Sequence, residues 1–120
     1  MPSQTRILLV DDSKLARMAM RAVVSDILDD PSFQEAADAT TALDLIERDR
    51  FDAVFMDYNM PGVDGLSAAA TIRARHPAAS IALVTAMAQD SIIAEAGRLS
   101  VAFISKPVRR QDVASFLNAG

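Results

Sequence analysis

FDAVFMDYNMPGVDG, residues 51–65, is a nearly unbroken apolar run that ends on a carboxylate, Asp57, and then breaks into a turn. A short solid apolar run bounded by turn residues reads as a strand buried on both sides, here over Asp52–Met56. Ending such a strand on Asp57 is costly, because an unpaired charge taken out of water loses several kcal/mol. Other residues must therefore reach the same place.

Outward from this strand the period of the apolar pattern changes again and again. On the N-terminal side, RILLV (6–10) is a second solid apolar run. Leu15, Met18, Ala19, Ala22, Val23 and Ile27 then recur at helical spacing, with Ser13 as N-cap and Pro31 soon after the end. Phe33–Ala37 is weakly extended and Thr41–Asp49 helical. On the C-terminal side, Leu66–Arg75 reads as a helix and Ile81–Val84 as a strand. Ser91–Ala96 reads as a helix stopped by Gly97, and Val101–Ile104 as a strand. Arg109–Leu117 is a last helix carrying Val113, Phe116 and Leu117 on one face. Gly62 and Gly65 read as turn residues that permit positive φ.

Strands alternating with helices in this way predict an α/β fold. Its parallel sheet is covered on both faces, because solid apolar strands need burial on both sides and right-handed crossovers supply it. Ligands of such open sheets bind beyond the carboxyl ends of the strands. At those ends stand Asp11 and Asp12 after the first strand, Asp57 and Asn59 after the third, Thr85 after the fourth, and Lys106-Pro107 after the fifth.

The whole chain bounds the chemistry further. Its 120 residues suit one domain, expected over 1–120 with no output domain. The absence of cysteine excludes a disulfide framework and thiol chemistry. No secretory signal stands at the start, so a cytoplasmic protein is expected. No apolar run approaches the ~20 residues of a membrane helix. The net charge of -4 offers no basic patch, so neither membrane nor nucleic acid is an expected partner.

Three carboxylates at one sheet edge repel one another unless protons or a cation neutralise them. An all-oxygen donor set favours Mg²⁺ or Mn²⁺ over zinc, since there is no cysteine and the only histidine, His76, lies elsewhere. With Lys106 and Thr85 offering a positive charge and a hydroxyl to phosphoryl oxygens, the set reads as a phosphoryl-transfer site with a carboxylate nucleophile. Each residue also has a plainer reading. Asp11 and Asp12, or Thr85, could cap the helix that follows. Lys106-Pro107 could be a solvated strand end, His76 a solvent-facing helix end, and Met56, Met60 and Met87 packing residues. The joint placement at one edge favours the site.

These residues carry a resemblance. The acid pair Asp11-Asp12, DYNMPGVDG, Thr85-Ala86 and Lys106-Pro107 resemble, over essentially the whole chain, the receiver domain of two-component response regulators of the single-domain, chemotaxis-regulator type. The resemblance implies a flavodoxin-like sheet of order 2-1-3-4-5 and a signalling protein rather than an enzyme. It implies that Asp57 accepts a phosphoryl group from a histidine kinase or histidine phosphotransferase. By the same likeness Asp12 is a direct Mg²⁺ ligand, Asp11 acts largely through water, and Asn59 offers its backbone carbonyl. Lys106 pairs with the phosphoryl group, and Thr85 and Phe103 form a switch. The resemblance further implies an unidentified downstream protein that reads the face of helix four, strand five and helix five. The segment AEAGRLSVAFISKP departs from the usual acidic turn, with Arg98, Leu99 and Ser100 in its place.

Three other functions fit parts of the pattern. A phosphorelay shuttle or phosphate sink would use the same site without an effector target. A phosphatase of the haloacid dehalogenase type needs an acid two residues past the nucleophile, where Asn59 cannot donate a proton as a general acid. A pseudo-receiver usually lacks an acid of the pair, the acceptor or the lysine, and all are present here.

Overall fold

The computed structural model of the chain describes residues 4–119 apart from positions 61, 63 and 88, so Pro61 and Val63 of the central motif lie outside the described residues. In chain order the elements are β1 (Arg6–Val10), α1 (Lys14–Ile27), β2 (Ser32–Ala36), α2 (Ala39–Arg48), β3 (Ala53–Asp57), α3 (Gly65–Arg75), β4 (Ser80–Thr85), α4 (Asp90–Arg98), β5 (Ala102–Ser105) and α5 (Arg110–Ala119). The strands form one parallel sheet in the order β2-β1-β3-β4-β5. The apolar runs predicted a parallel sheet covered on both faces, and the order is the flavodoxin-like one that the resemblance implied.

Strand parity divides the core into two layers. Ile7, Leu9, Phe55, Val84 and Ile104 pack with Met20 and Val24 of α1 and Val113 and Phe116 of α5. Leu8, Val10, Val54, Met56, Ile81 and Leu83 pack with Ala42 and Ile46 of α2, Ile72 of α3 and Ile92 of α4. In the first layer the Phe55 and Phe116 rings meet edge to face, 5.1 Å between centroids, a geometry worth about 0.5–1.5 kcal/mol beyond area burial. All of β3 is buried, as its solid apolar sequence requires, and Asp57 is its last residue rather than the first residue after it.

Three helices start on side-chain caps that satisfy a free backbone N–H. Ser13 accepts from Ala16 N, Asp38 from Thr41 N and Asp64 from Ser67 N. The hydrogen bond from Thr41 N holds the Asp38 carboxyl below its ordinary range. At α4 the cap position is Gln89, whose side chain makes no capping bond among the described residues.

The structure corrects four local expectations. On α1, Leu15 and Met18 are 77% and 54% exposed, while Met20 and Val24 are buried. The helix carries apolar residues on two flanks and the sheet covers only one. Gly97 does not stop α4, which runs on to Arg98; the left-handed residue is Ser100, at φ 57°, and Val101 N donates back to Ala96 O at 2.8 Å. A glycine inside a helix costs about 1 kcal/mol relative to alanine, and burial of Ile92 and Ala96 offsets it. Of the two turn glycines only Gly62 has positive φ, at 87°. Gly65 serves close approach instead: a Cβ there would lie 2.2 Å from the Asp57 carbonyl oxygen and 2.8 Å from Tyr58 Cα.

The fourth correction is His76, which is half-buried at the end of α3, with Nε2 2.7 Å from the Ile46 carbonyl oxygen near the end of α2. It ties two helix ends together rather than facing solvent. Nearby, Arg73 of α3 donates to four carbonyl oxygens, those of Pro77 (3.0 Å) and Ala79 (2.7 Å) and those of Leu99 (3.1 Å) and Ser100 (2.9 Å). One guanidinium thus joins the turn after α3 to the turn after α4.

Candidate functional site

The carboxyl edge of the sheet gathers the charges that the sequence placed there. Backbone ladder bonds continue past the strands: Asp11 N donates to Ala36 O, Tyr58 N to Val84 O and Lys106 N to Thr85 O, at 2.9–3.1 Å. These bonds fix the backbone that carries Asp11, Asp57 and Lys106. One carboxylate oxygen from each of Asp11, Asp12 and Asp57 lies within 4.8 Å of the others. Asp57 is 4% exposed and Asp11 9%, whereas Asp12 faces solvent.

Lys106 bridges the two buried acids, with Nζ 3.2 Å from Asp11 Oδ2 and 3.3 Å from Asp57 Oδ1. Asn59 N donates to Asp57 Oδ1 at 3.4 Å, and Ser13 N to Asp11 Oδ1 at 2.9 Å. Burial is the largest effect on the Asp57 carboxyl and pushes it above the ordinary carboxylate range. The Asp11 charge adds to this, while Lys106 and the Asn59 N–H pull back without cancelling it. For Lys106, burial pulls the ammonium down, but Asp57 and Asp11 together outweigh it and leave it raised. The cluster therefore stores repulsion that a cation between the carboxylates would relieve. Its donors are oxygens only, a set that fits Mg²⁺ better than zinc.

The sequence reading missed Arg17. Its Nη1 donates to the Asp11 carbonyl oxygen at 2.6 Å and its Nε to Glu35 Oε1 at 2.8 Å, bracing the end of β1 against β2. The one signal for it was a basic residue on the first turn of the helix that follows the acid pair.

Thr85 and Phe103 belong to the other layer of the sheet. Thr85 is fully buried and shares strand parity with Ile81 and Leu83, on the α2–α3–α4 side; its hydroxyl accepts from Met87 N at 3.0 Å. It does not cap α4, whose cap position is Gln89. Phe103 sits opposite Leu83 in the sheet and packs, half-buried, on the same layer. Of the methionines read as packing residues, Met56 and Met60 are buried, but Met87 is 40% exposed. On the other layer, a cavity of about 360 Å³ runs between α1 and the turn after β5, with Asp57 and Lys106 at one end.

Comparison with known proteins agrees with this geometry. The family model for the response regulator receiver domain matches residues 7–118. Protein CcdB of Bacillus subtilis is 38% identical over 113 residues, covering 91% of each chain. The chemotaxis protein CheY of Listeria monocytogenes is 32% identical over 112 residues, covering 90% of this chain and 91% of its own. Among solved structures, the signal receiver domain of an HD domain-containing protein from Pseudomonas fluorescens superposes with a TM-score of 0.87 at 27% identity, covering 98% of this chain and 94% of its own. With five parallel strands in this order and an acid cluster at their carboxyl ends, the chain belongs to the response regulator receiver domains of two-component signalling.

Proposed function

We propose that Asp57 accepts a phosphoryl group from a phosphohistidine of a histidine kinase or phosphotransfer protein, and that the phosphorylated chain signals by binding another protein. The observation that carries this reading is a carboxylate 4% exposed at the end of an apolar strand, paired with Lys106 and crowded by two further acids. A structural ion pair needs no third carboxylate. A phosphoryl site does, because its oxygens bring more negative charge and call for a divalent cation.

Asp11, Asp12 and Asp57, with the Asn59 carbonyl, would hold Mg²⁺ or Mn²⁺. When bound, the cation draws charge from the phosphoryl oxygens. A carboxylate oxygen of Asp57 forms the bond to phosphorus as the phosphorus–nitrogen bond breaks, and the imidazole keeps the electron pair. Held at the end of β3, Asp57 needs no reorganisation to attack. Lys106 is placed to follow one phosphoryl oxygen with its ammonium, exchanging a carboxylate partner for the new anion. Thr85, drawn toward the product, would give up the Met87 N–H and open space into which the half-buried Phe103 turns. Shuttle and effector roles share all of these steps, and the partner that binds the activated form separates them.

The test is incubation with acetyl phosphate with and without Mg²⁺, followed by intact-mass measurement. One hydroxide-labile phosphoryl adduct is expected, dependent on the cation and absent from Asp57→Asn. Undiminished labelling of that variant would overturn the assignment.

A further inference from the structure

Asp11 and Asp12 are neighbours in sequence but are held in different ways. The Asp11 carboxylate is fastened from two sides, by Ser13 N at 2.9 Å and by Lys106 Nζ at 3.2 Å. The Asp12 carboxylate faces solvent, and no donor among the described residues bonds it. Its place within 4.8 Å of the other two acids therefore depends on the backbone beneath it.

That backbone is the peptide joining Asp11 to Asp12, a rigid plane whose carbonyl oxygen sets the direction in which the chain leaves β1. On one side of Asp11 its N–H is fixed by Ala36 O at 3.1 Å. On the other side its carbonyl oxygen accepts from Arg17 Nη1 at 2.6 Å. In the cavity beside the site, a groove along α1, the neighbours of Arg17 are Ala16 and Ala19, too short to take its place. The guanidinium is itself aimed. Its Nε donates to Glu35 Oε1 at 2.8 Å, and Glu35 Oε2 accepts from Arg21 Nη1 at 3.2 Å. Arg21 in turn lies over the Phe33 ring, 4.8 Å from its centroid. An ion pair between Arg17 and Glu35 needs no carbonyl; the fork serves both because its donors lie in one plane.

We infer that Arg17, aimed by Glu35, is a positioning residue for the cation: by pinning the peptide before Asp12 it holds that ligand for a small ion of strict geometry, and so favours Mg²⁺ over Ca²⁺. The inference rests on the cation-binding reading of the acid cluster. Mg²⁺ demands a near-ideal octahedron, whereas Ca²⁺ accepts more oxygens in flexible arrangements. A loosened Asp12 therefore disfavours Mg²⁺ more than Ca²⁺. Charge acts with the opposite sign, because removing a guanidinium near the acids lowers the repulsion on either divalent cation alike. One substitution thus separates position from charge.

The experiment is calorimetric titration of the metal-free protein with MgCl₂ and with CaCl₂, for the wild type, Arg17→Met and Arg17→Lys. Arg17→Met should bind Mg²⁺ about tenfold more weakly than the wild type, the lower end of what partners of metal ligands contribute, and Ca²⁺ no more than about threefold more weakly. Arg17→Lys keeps the charge without the planar fork, and should lose part of the same preference. Amide spectra of metal-free Arg17→Met should show the fold retained, with changes centred on Asp11, Asp12 and Ser13; if that variant does not fold, Arg17→Lys carries the test. Unchanged or tighter Mg²⁺ binding in Arg17→Met overturns the inference, as does a wild-type preference in Arg17→Lys. So does an equal loss of both ions, which would make Arg17 a brace for the fold alone. In each of these cases a wild type that binds Mg²⁺ leaves the cation reading standing. A wild type that binds neither ion removes that reading, and the role of Arg17 with it.

Discussion

The two layers of the sheet handle opposite problems. On the α1–α5 side the rows of apolar residues end in Asp11, Asp57 and Lys106, charges held close at some cost. On the α2–α3–α4 side the rows end in Thr85 and Phe103, which carry no charge and depend on packing. The division follows from the two-residue period of a strand: Phe55 and Asp57 share one face, and Leu83 and Thr85 the other. On the proposed reading, chemistry and its readout would thus be separated by the thickness of the sheet, and an event on one layer would reach the other through the sheet edge. Charge interactions favour an acceptor ready for reaction, and close packing favours two discrete arrangements.

The most direct way to break the comparison is Asp57→Asn, for which complete loss of phosphoryl labelling is expected. The same variant tests the stored repulsion. Because the folded chain raises the Asp57 carboxyl above its ordinary range, the protonated form is the one the fold favours. Its stabilising effect is full below the unfolded carboxyl value of ~4 and is lost as pH rises through the elevated folded value. Urea unfolding without metal should therefore show Asp57→Asn matching wild type in acid and exceeding it increasingly toward neutral pH. A difference that does not vary with pH would mean that Lys106 already balances the cluster. Asp12→Asn, at an exposed position, should gain less.

Next in size is Gly65→Ala, which strikes the joint between the layers. A Cβ 2.2 Å from the Asp57 carbonyl oxygen forces backbone to move, at a cost of about 3 kcal/mol. Both the melting temperature and the rate of labelling should fall; a variant that melts with wild type would show that the turn has slack.

Thr85→Ala should sharpen the comparison by sparing one layer. Labelling should persist, while the gain in partner affinity on adding beryllofluoride and Mg²⁺ falls by about tenfold, within the usual 1–3 kcal/mol of coupling between sites. An unchanged gain would take Thr85 and Phe103 out of the readout. The smallest effect is expected at Met87, exposed and two residues past Thr85. A thioether is a poor partner for water, so Met87→Gln should speed loss of the phosphoryl group several-fold, on the order of the ~1 kcal/mol of one neutral hydrogen bond. Decay of labelled protein at saturating Mg²⁺ measures it, and an unchanged rate would leave Met87 without influence on signal lifetime.

The sheet and the acid cluster were legible in the sequence because both depend on short-range pattern. Solid apolar runs require two-sided burial, and topology then brings their carboxyl ends together. What stayed hidden depends on neighbours in space. Nothing in the spacing of α1 says which of its two apolar flanks meets the sheet, so Leu15 and Met18 were read into the apolar stripe while Met20 and Val24, which are buried, were left out of it. His76 finds its partner in a backbone carbonyl thirty residues away, at Ile46, which side-chain pattern does not encode. Arg17 likewise acts on a carbonyl, and the groove beside it exists because of what Ala16 and Ala19 lack.

Arg73 ties down one end of α4. Its guanidinium holds the Leu99 and Ser100 carbonyls at one end of that helix, while the other end, at Gln89, has no side-chain cap. A rod pinned at one end tilts rather than slides, so its displacement grows with distance from the pin. The loose end is the one joined through Met87 to the Thr85 hydroxyl. On the proposed switch reading, a change at Thr85 would enter α4 at its uncapped end, and the face of the helix that carries exposed Ile93 would move with it.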